Sequence, residues 1–162
     1  MVASLSVRVY TGADAGTESS AVTGIDFISA DNATNSLGNR QANPITVGTN
    51  SYEKWLALKV DTAPANAVTN FLIWGDGAVQ SSTTLTFTGA YITGTTPVAT
   101  ASSIANTTFT NFTAGNKATW DSASLTATNA TTKYSVFQLQ VGATASPGNW
   151  TQETINYSYD ET

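Results

Sequence analysis

Apolar and polar residues alternate with a period of two over much of this chain. Leu5, Val7 and Val9 alternate with Ser4, Ser6, Arg8 and Tyr10. From Tyr52 to Val60, one face carries Tyr52, Leu56, Leu58 and Val60, and the other carries Glu53, Trp55, Ala57 and Lys59. Phe137, Leu139 and Val141 share a face within Lys133 to Val141. Ile155, Tyr157 and Tyr159 alternate with Thr154, Asn156 and Ser158 within Thr151 to Asp160. A shorter copy, Ile25 and Phe27 around Asp26, spans Gly24 to Ile28. Each is the signature of a half-buried strand, because successive side chains leave a strand on opposite faces. Helical periodicity is absent; Ala65 to Val68 has room for one turn before Thr69 and Asn70.

Turn signals separate these segments. Phe71 to Trp74 is a short apolar run ending in Gly75, Asp76 and Gly77. An Asp-Gly pair between apolar runs predicts a hairpin, since both central positions of a type I′ turn need positive φ. Thr83 to Ile92 reads as one or two further strands around Gly89. Two stretches carry little to bury: 29–50, rich in Asn and Gly with Asn43-Pro44, and 93–117, with only Val98, Ile104, Phe109 and Phe112. They predict long polar loops, which in a compact domain are usually functional or interacting. Seven to ten short strands with turns between them predict one all-β domain over 1–162. The expected architecture is a single antiparallel sandwich, jelly-roll or immunoglobulin-like, with little or no helix. A closed barrel is the lesser alternative.

Composition narrows the chemistry. The 162 residues contain no His and no Cys, six basic and eleven acidic side chains, and 45 Thr and Ser. Charged residues make up 10%, against an average of about 25%. Disulfides and His-dependent triads are excluded, and zinc or iron–sulfur centres are disfavoured. The basic residues Arg8, Arg40, Lys54, Lys59, Lys117 and Lys133 stand singly, so no patch exists to neutralise a nucleic-acid backbone. No apolar run approaches the roughly 20 residues that cross a bilayer as a helix, and the start has no basic region followed by an apolar stretch. The expectation is a complete gene product made in a cytoplasm and not exported by the standard route.

Several groups of residues are candidates for chemistry or contact. Asp26, Asp31, Asn32, Asn35 and Asn39 could offer oxygen ligands to Ca²⁺, but their spacing matches no EF-hand and Asx residues populate turns for local reasons. Asp14, Glu18, Asp26, Asp61, Asp76 and Asp121 are the carboxylates from which a catalytic pair would have to come. They sit in expected turns, and no enzyme, metal or cofactor is predicted. Trp74 closes an apolar run and reads as core. Trp55 lies opposite Leu56 and Leu58, which predicts an exposed or interfacial ring, and Trp120 and Trp150 stand beside polar residues. Such aromatics mark interfaces or sugar-stacking platforms. Arg8 and Tyr10 in the first strand, with Arg40 and Trp55, are the expected partner contacts. The six Asn-x-Ser/Thr sites are read as composition, since Asn, Ser and Thr are all abundant.

The Met1 start, the Thr/Ala/Ser/Asn/Gly-rich strands and the missing Cys and His give a pattern similar to that of small accessory proteins of tailed-phage virions. The passages Asn50-Ser51-Tyr52-Glu53-Lys54-Trp55-Leu56 and Ile155-Asn156-Tyr157-Ser158-Tyr159-Asp160-Glu161 also resemble phage structural sequences. The resemblance is to capsid decoration or cement proteins. It implies a protein made in the host cytoplasm that docks on the outer surface of a finished shell. It also implies clamping of neighbouring major capsid subunits and clustering as a homo-oligomer, a trimer by preference. The N-terminal strand and the loop from Asp31 to Asn50 are the first expected docking elements, and Thr93 to Lys117 the second. The competing expectation is a glycan-binding module of a phage tail, fibre or neck adhesin, using Trp120 and Trp150.

Overall fold

The alternating segments become strands because each has a face to bury and a partner to cover it. The computed structural model describes residues 2–77, 81–146, 148 and 152–162. Its strands are β1 (Ser4–Thr11), β2 (Thr17–Glu18), β3 (Lys54–Thr62), β4 (Val68–Gly75), β5 (Thr83–Tyr91), β6 (Thr107–Thr108), β7 (Ala118–Asp121), β8 (Tyr134–Val141) and β9 (Ile155–Glu161). Six form one sheet in the order β2-β1-β3-β8-β5-β6, and three form a second in the order β7-β4-β9. All their pairings are antiparallel. The expected all-β sandwich-like architecture is what the chain adopts.

The main core lies between the sheets. Val9, Leu56, Leu58, Val60, Leu85 and Phe137 of the larger sheet meet Phe71, Ile73 and Trp120 of the smaller one. Phe87, Phe109 and Phe137 pack with ring centroids 5.0–5.3 Å apart, a geometry that adds about 0.5–1.5 kcal/mol per pair beyond area burial. A second, smaller core covers the far face of the larger sheet. There Trp55, Ala57 and Val136, with Tyr10 beside Trp55 in β1, pack with Ala15 and Ala105. β3 is therefore buried on both faces, which accounts for its near-continuous apolar run.

Five local expectations change or are narrowed. The Asp76-Gly77 turn joins strands of different sheets, so it is a crossing and not a hairpin, although Gly77 does take φ 80°. Gly24 to Ile28 forms no ladder; Val22 makes a single bridge to Val7, and Ile25 and Phe27 still pack on the main core. Thr83 to Tyr91 is one strand that passes Gly89 with an irregular register. A Cβ at Gly89 would collide with the Thr119 carbonyl oxygen, so only glycine lets β5 approach this close. The loop 29–50 contains one helix, α1 (Leu37–Ala42), capped by the Ser36 hydroxyl, which accepts from the Asn39 N–H. The 93–117 loop is less polar in place than in sequence, because Ala105 and Phe109 are fully buried.

Candidate functional site

The polar cluster read as a calcium candidate is assembled, and the cations it surrounds belong to the chain. Lys54, at the start of β3, is buried, and its ammonium donates to the carbonyls of Asn32 at 2.7 Å and Ala30 at 3.4 Å. Burial pulls its pKa down to about 8, against the opposing pull of Asp31 and Asp26. Asp26 accepts from Arg40 Nη1 at 2.7 Å and from the Ser36 N–H at 3.0 Å. Asp31 accepts from the Gly12 N–H, Asn32 and Asn39 bond to each other, and Asn35 accepts from Arg40. Among the described residues, no group of three or more acidic side chains is placed to hold a metal.

A second buried polar network ties the 93–106 segment to the larger sheet. Glu53 accepts from Ser102 Oγ, from Trp55 Nε1 at 3.1 Å and from the Val98 N–H. Gln138 donates to the carbonyls of Ser51, Val98 and Thr100, and accepts from the Ser102 N–H. Sequence reading passed over Glu53 and Gln138. The available signal was an acidic residue sharing a strand face with Trp55 and Ala57, which requires a buried partner once that face is covered.

The expected contact residues are mostly occupied internally. Arg8 pairs with Asp61 at 3.1 Å and Glu18 at 3.9 Å, and Tyr10 donates to Glu18 at 3.0 Å. The hydrogen bond from Lys59 to Glu18, at 2.7 Å, is the main cause holding that carboxyl below its usual range. Arg40 keeps about half its side chain exposed while bound to Asp26. Trp55 and Trp120 are corrections. Trp55 is fully buried, because the face opposite Leu56 and Leu58 is covered by a loop and not left to solvent. Trp120 is 1% exposed, with its Nε1 donating to the Lys133 carbonyl and its ring edge-on to Tyr157. Trp74, expected in the core, is only partly buried and has the Lys117 ammonium 4.2 Å above its ring. Trp150 lies outside the described residues.

A groove lies open between the sheets beside the start of β9. One end, about 460 Å³, is lined by Leu5, Val7, Leu56, Trp120, Ile155 and Tyr157, with Ala21 to Ile25 opposite. Thr23, Gly24, Ile25 and Ile155 also line a wider cleft of about 980 Å³. This cleft has Leu85, Leu139 and Val141 on the larger sheet and Asp26, Arg40, Gln41, Asn43 and Glu153 among its polar residues. Burial, and then the Asp76 charge, push the Glu153 carboxyl up to about 7, against a hydrogen bond from the Gly77 backbone. Its Oε1 is buried without a hydrogen-bond partner. An apolar floor with a few polar groups above it can bind a ligand or a partner segment.

No protein-family model matches the chain, and no curated protein or solved structure matches it.

Proposed function

We propose that this protein works by holding: it is a structural virion protein that attaches to the outer surface of a phage capsid and bridges neighbouring major capsid subunits. The observation that carries this reading is the division between inward chemistry and outward contact surface. Glu53, Lys54, Gln138, Asp26 and Asp121 are buried and spent on hydrogen bonds within the chain. Among the described residues, the large apolar side chains left exposed beyond the N-terminus, Leu37, Val47, Ile92 and Val98, fall in or beside the two long loops. Apolar residues on a neutral Thr/Ser/Asn surface suit association with another protein, since hydroxyls and amides cost less to desolvate than charges. Repetition over a shell would convert modest contacts into avid attachment. The phage assignment itself rests on the compositional resemblance.

The glycan-binding alternative loses support, because it needed exposed rings and Trp120 is interior. Quantitative mass spectrometry of purified particles carrying this gene product tests the reading. Hundreds of copies per particle are expected for a cement role. A few copies would move the protein to a tail or neck, and none would end the virion reading.

A further inference from the structure

The smaller sheet stops one strand short of covering the floor beside it. β9 is an edge strand, paired with β4 alone. Ala67 and Thr162 exchange both backbone hydrogen bonds, and at the other end the Gly75 N–H turns away from β9 to the Phe112 carbonyl. Hydrogen-bonded and non-bonded pairs alternate along an antiparallel ladder. Both ends therefore assign the even residues of β9 to the bonds with β4. By that alternation the N–H and C=O groups of Ile155, Tyr157 and Tyr159 face the open side. Their side chains pack onto the main core, so the strand itself is firmly seated.

The groove lies beside the start of this unpaired edge. Its floor is the inner face of the larger sheet, and its far wall is the segment from Ala21 to Ile25. We propose that it is a docking slot for an extended, uncharged segment of the protein being held, apolar at alternate positions, which adds to β9 as a fourth strand of the smaller sheet. Backbone bonding to β9 would supply affinity, and alternate side chains on the floor would supply specificity. β9 has seven residues, so the segment spans about 23 Å at the usual rise of a strand.

Charge argues for a neutral occupant. Arg40 is cancelled by Asp26 at 2.7 Å, and Glu153 is held partly protonated near neutrality by its burial beside Asp76. A charged side chain of the segment would be desolvated over the apolar floor of Leu85, Leu139 and Val141. A second copy of the chain is disfavoured as donor. Its own β1 lies between β2 and β3, and its β9 could reach this edge only with a whole folded domain behind it, against the wall of Ala21 to Ile25.

The proposal deepens the holding role and rests on it only in assigning the segment to a shell protein. A yeast-displayed library of random linear peptides, panned against the whole protein, tests the slot without any particle. Enriched peptides are expected to alternate apolar residues with Thr or Ser, without charges, over about seven residues. The best one, synthesised, should protect the Ile155 and Tyr157 amides from hydrogen exchange. Thr23→Trp, at an exposed wall position, and Ile155→Pro, at the first residue of an edge strand where proline is tolerated, should each weaken it by about tenfold or more. If Ile155→Pro does not fold, Thr23→Trp decides. No enriched peptide, a charged or non-alternating consensus, or unchanged affinity in Thr23→Trp would overturn the slot. So would self-association of the wild type that Thr23→Trp abolishes, since the occupant would then be a second copy. Copy number in particles judges the virion reading separately, so either can fail while the other stands.

Discussion

Lys54 shows how a single residue can be chemically conspicuous and structurally employed. Its ammonium sits under the 26–43 segment, bonded to two carbonyls, with a pKa drawn down to about 8 by burial. A lysine whose folded pKa lies below its unfolded value of about 10.4 binds fewer protons when folded. Stability should therefore rise with pH from about 8 to about 10, by up to ~1.4 kcal/mol per unit. Wild type should gain thermal stability on Lys54→Met between about pH 7.5 and 9.5. A wild-type stability that, relative to Lys54→Met, stays flat or falls over that range would show that the folded chain does not bury a charged ammonium there. Tyr10, Tyr134 and Tyr157 have pKa values raised, chiefly by burial, which destabilises the fold only above about pH 10 and acts equally on both proteins. In the sequence this oxygen cluster is only a calcium candidate that matches no EF-hand spacing, and no metal is predicted there. That Lys54 and Arg40 are the cations became visible only when residues 14 to 24 positions apart were brought together.

Strands were the legible elements, and their second faces were not. Leu56 and Leu58 against Trp55 and Ala57 is a correct division of β3, read from alternation alone. Alternation cannot say whether the second face meets water or a loop, and here the 93–106 segment covers it through Glu53, Ser102 and Gln138. Helix α1 was missed because it has no apolar periodicity and no buried residue; its Ser36 cap and the Asp26–Arg40 pair hold it. Gly89 illustrates the same limit. It reads as a strand breaker, yet β5 runs past it because β7 comes too close for any side chain. Gly89→Val should cost about 1–3 kcal/mol through the forced separation of β5 and β7. Chemical denaturation of the variant measures it; a cost within about 0.5 kcal/mol, as for an ordinary surface change, would mean that the approach is looser than described.

At the scale of the molecule, one intersheet core joins both sheets, and the aromatic cluster of Phe87, Phe109 and Phe137 lies in it. Phe137→Ala should cost about 3–5 kcal/mol, much of a typical domain's 5–15 kcal/mol, and both sheets should melt together. Circular dichroism and tryptophan fluorescence melting at different temperatures would contradict a shared core. The sequence by itself determined the positions of the longer strands, the all-β class, the neutral Thr/Ser composition and the exclusion of His and Cys chemistry. These follow from local periodicity and composition. Only the tertiary structure decided which sheet each strand joins, that Trp55 and Trp120 are interior, and that β9 is left with an open edge above an apolar floor. Those outcomes depend on pairings between distant segments, where burial is set by what arrives from elsewhere in the chain and a residue's neighbours in sequence carry no record of it.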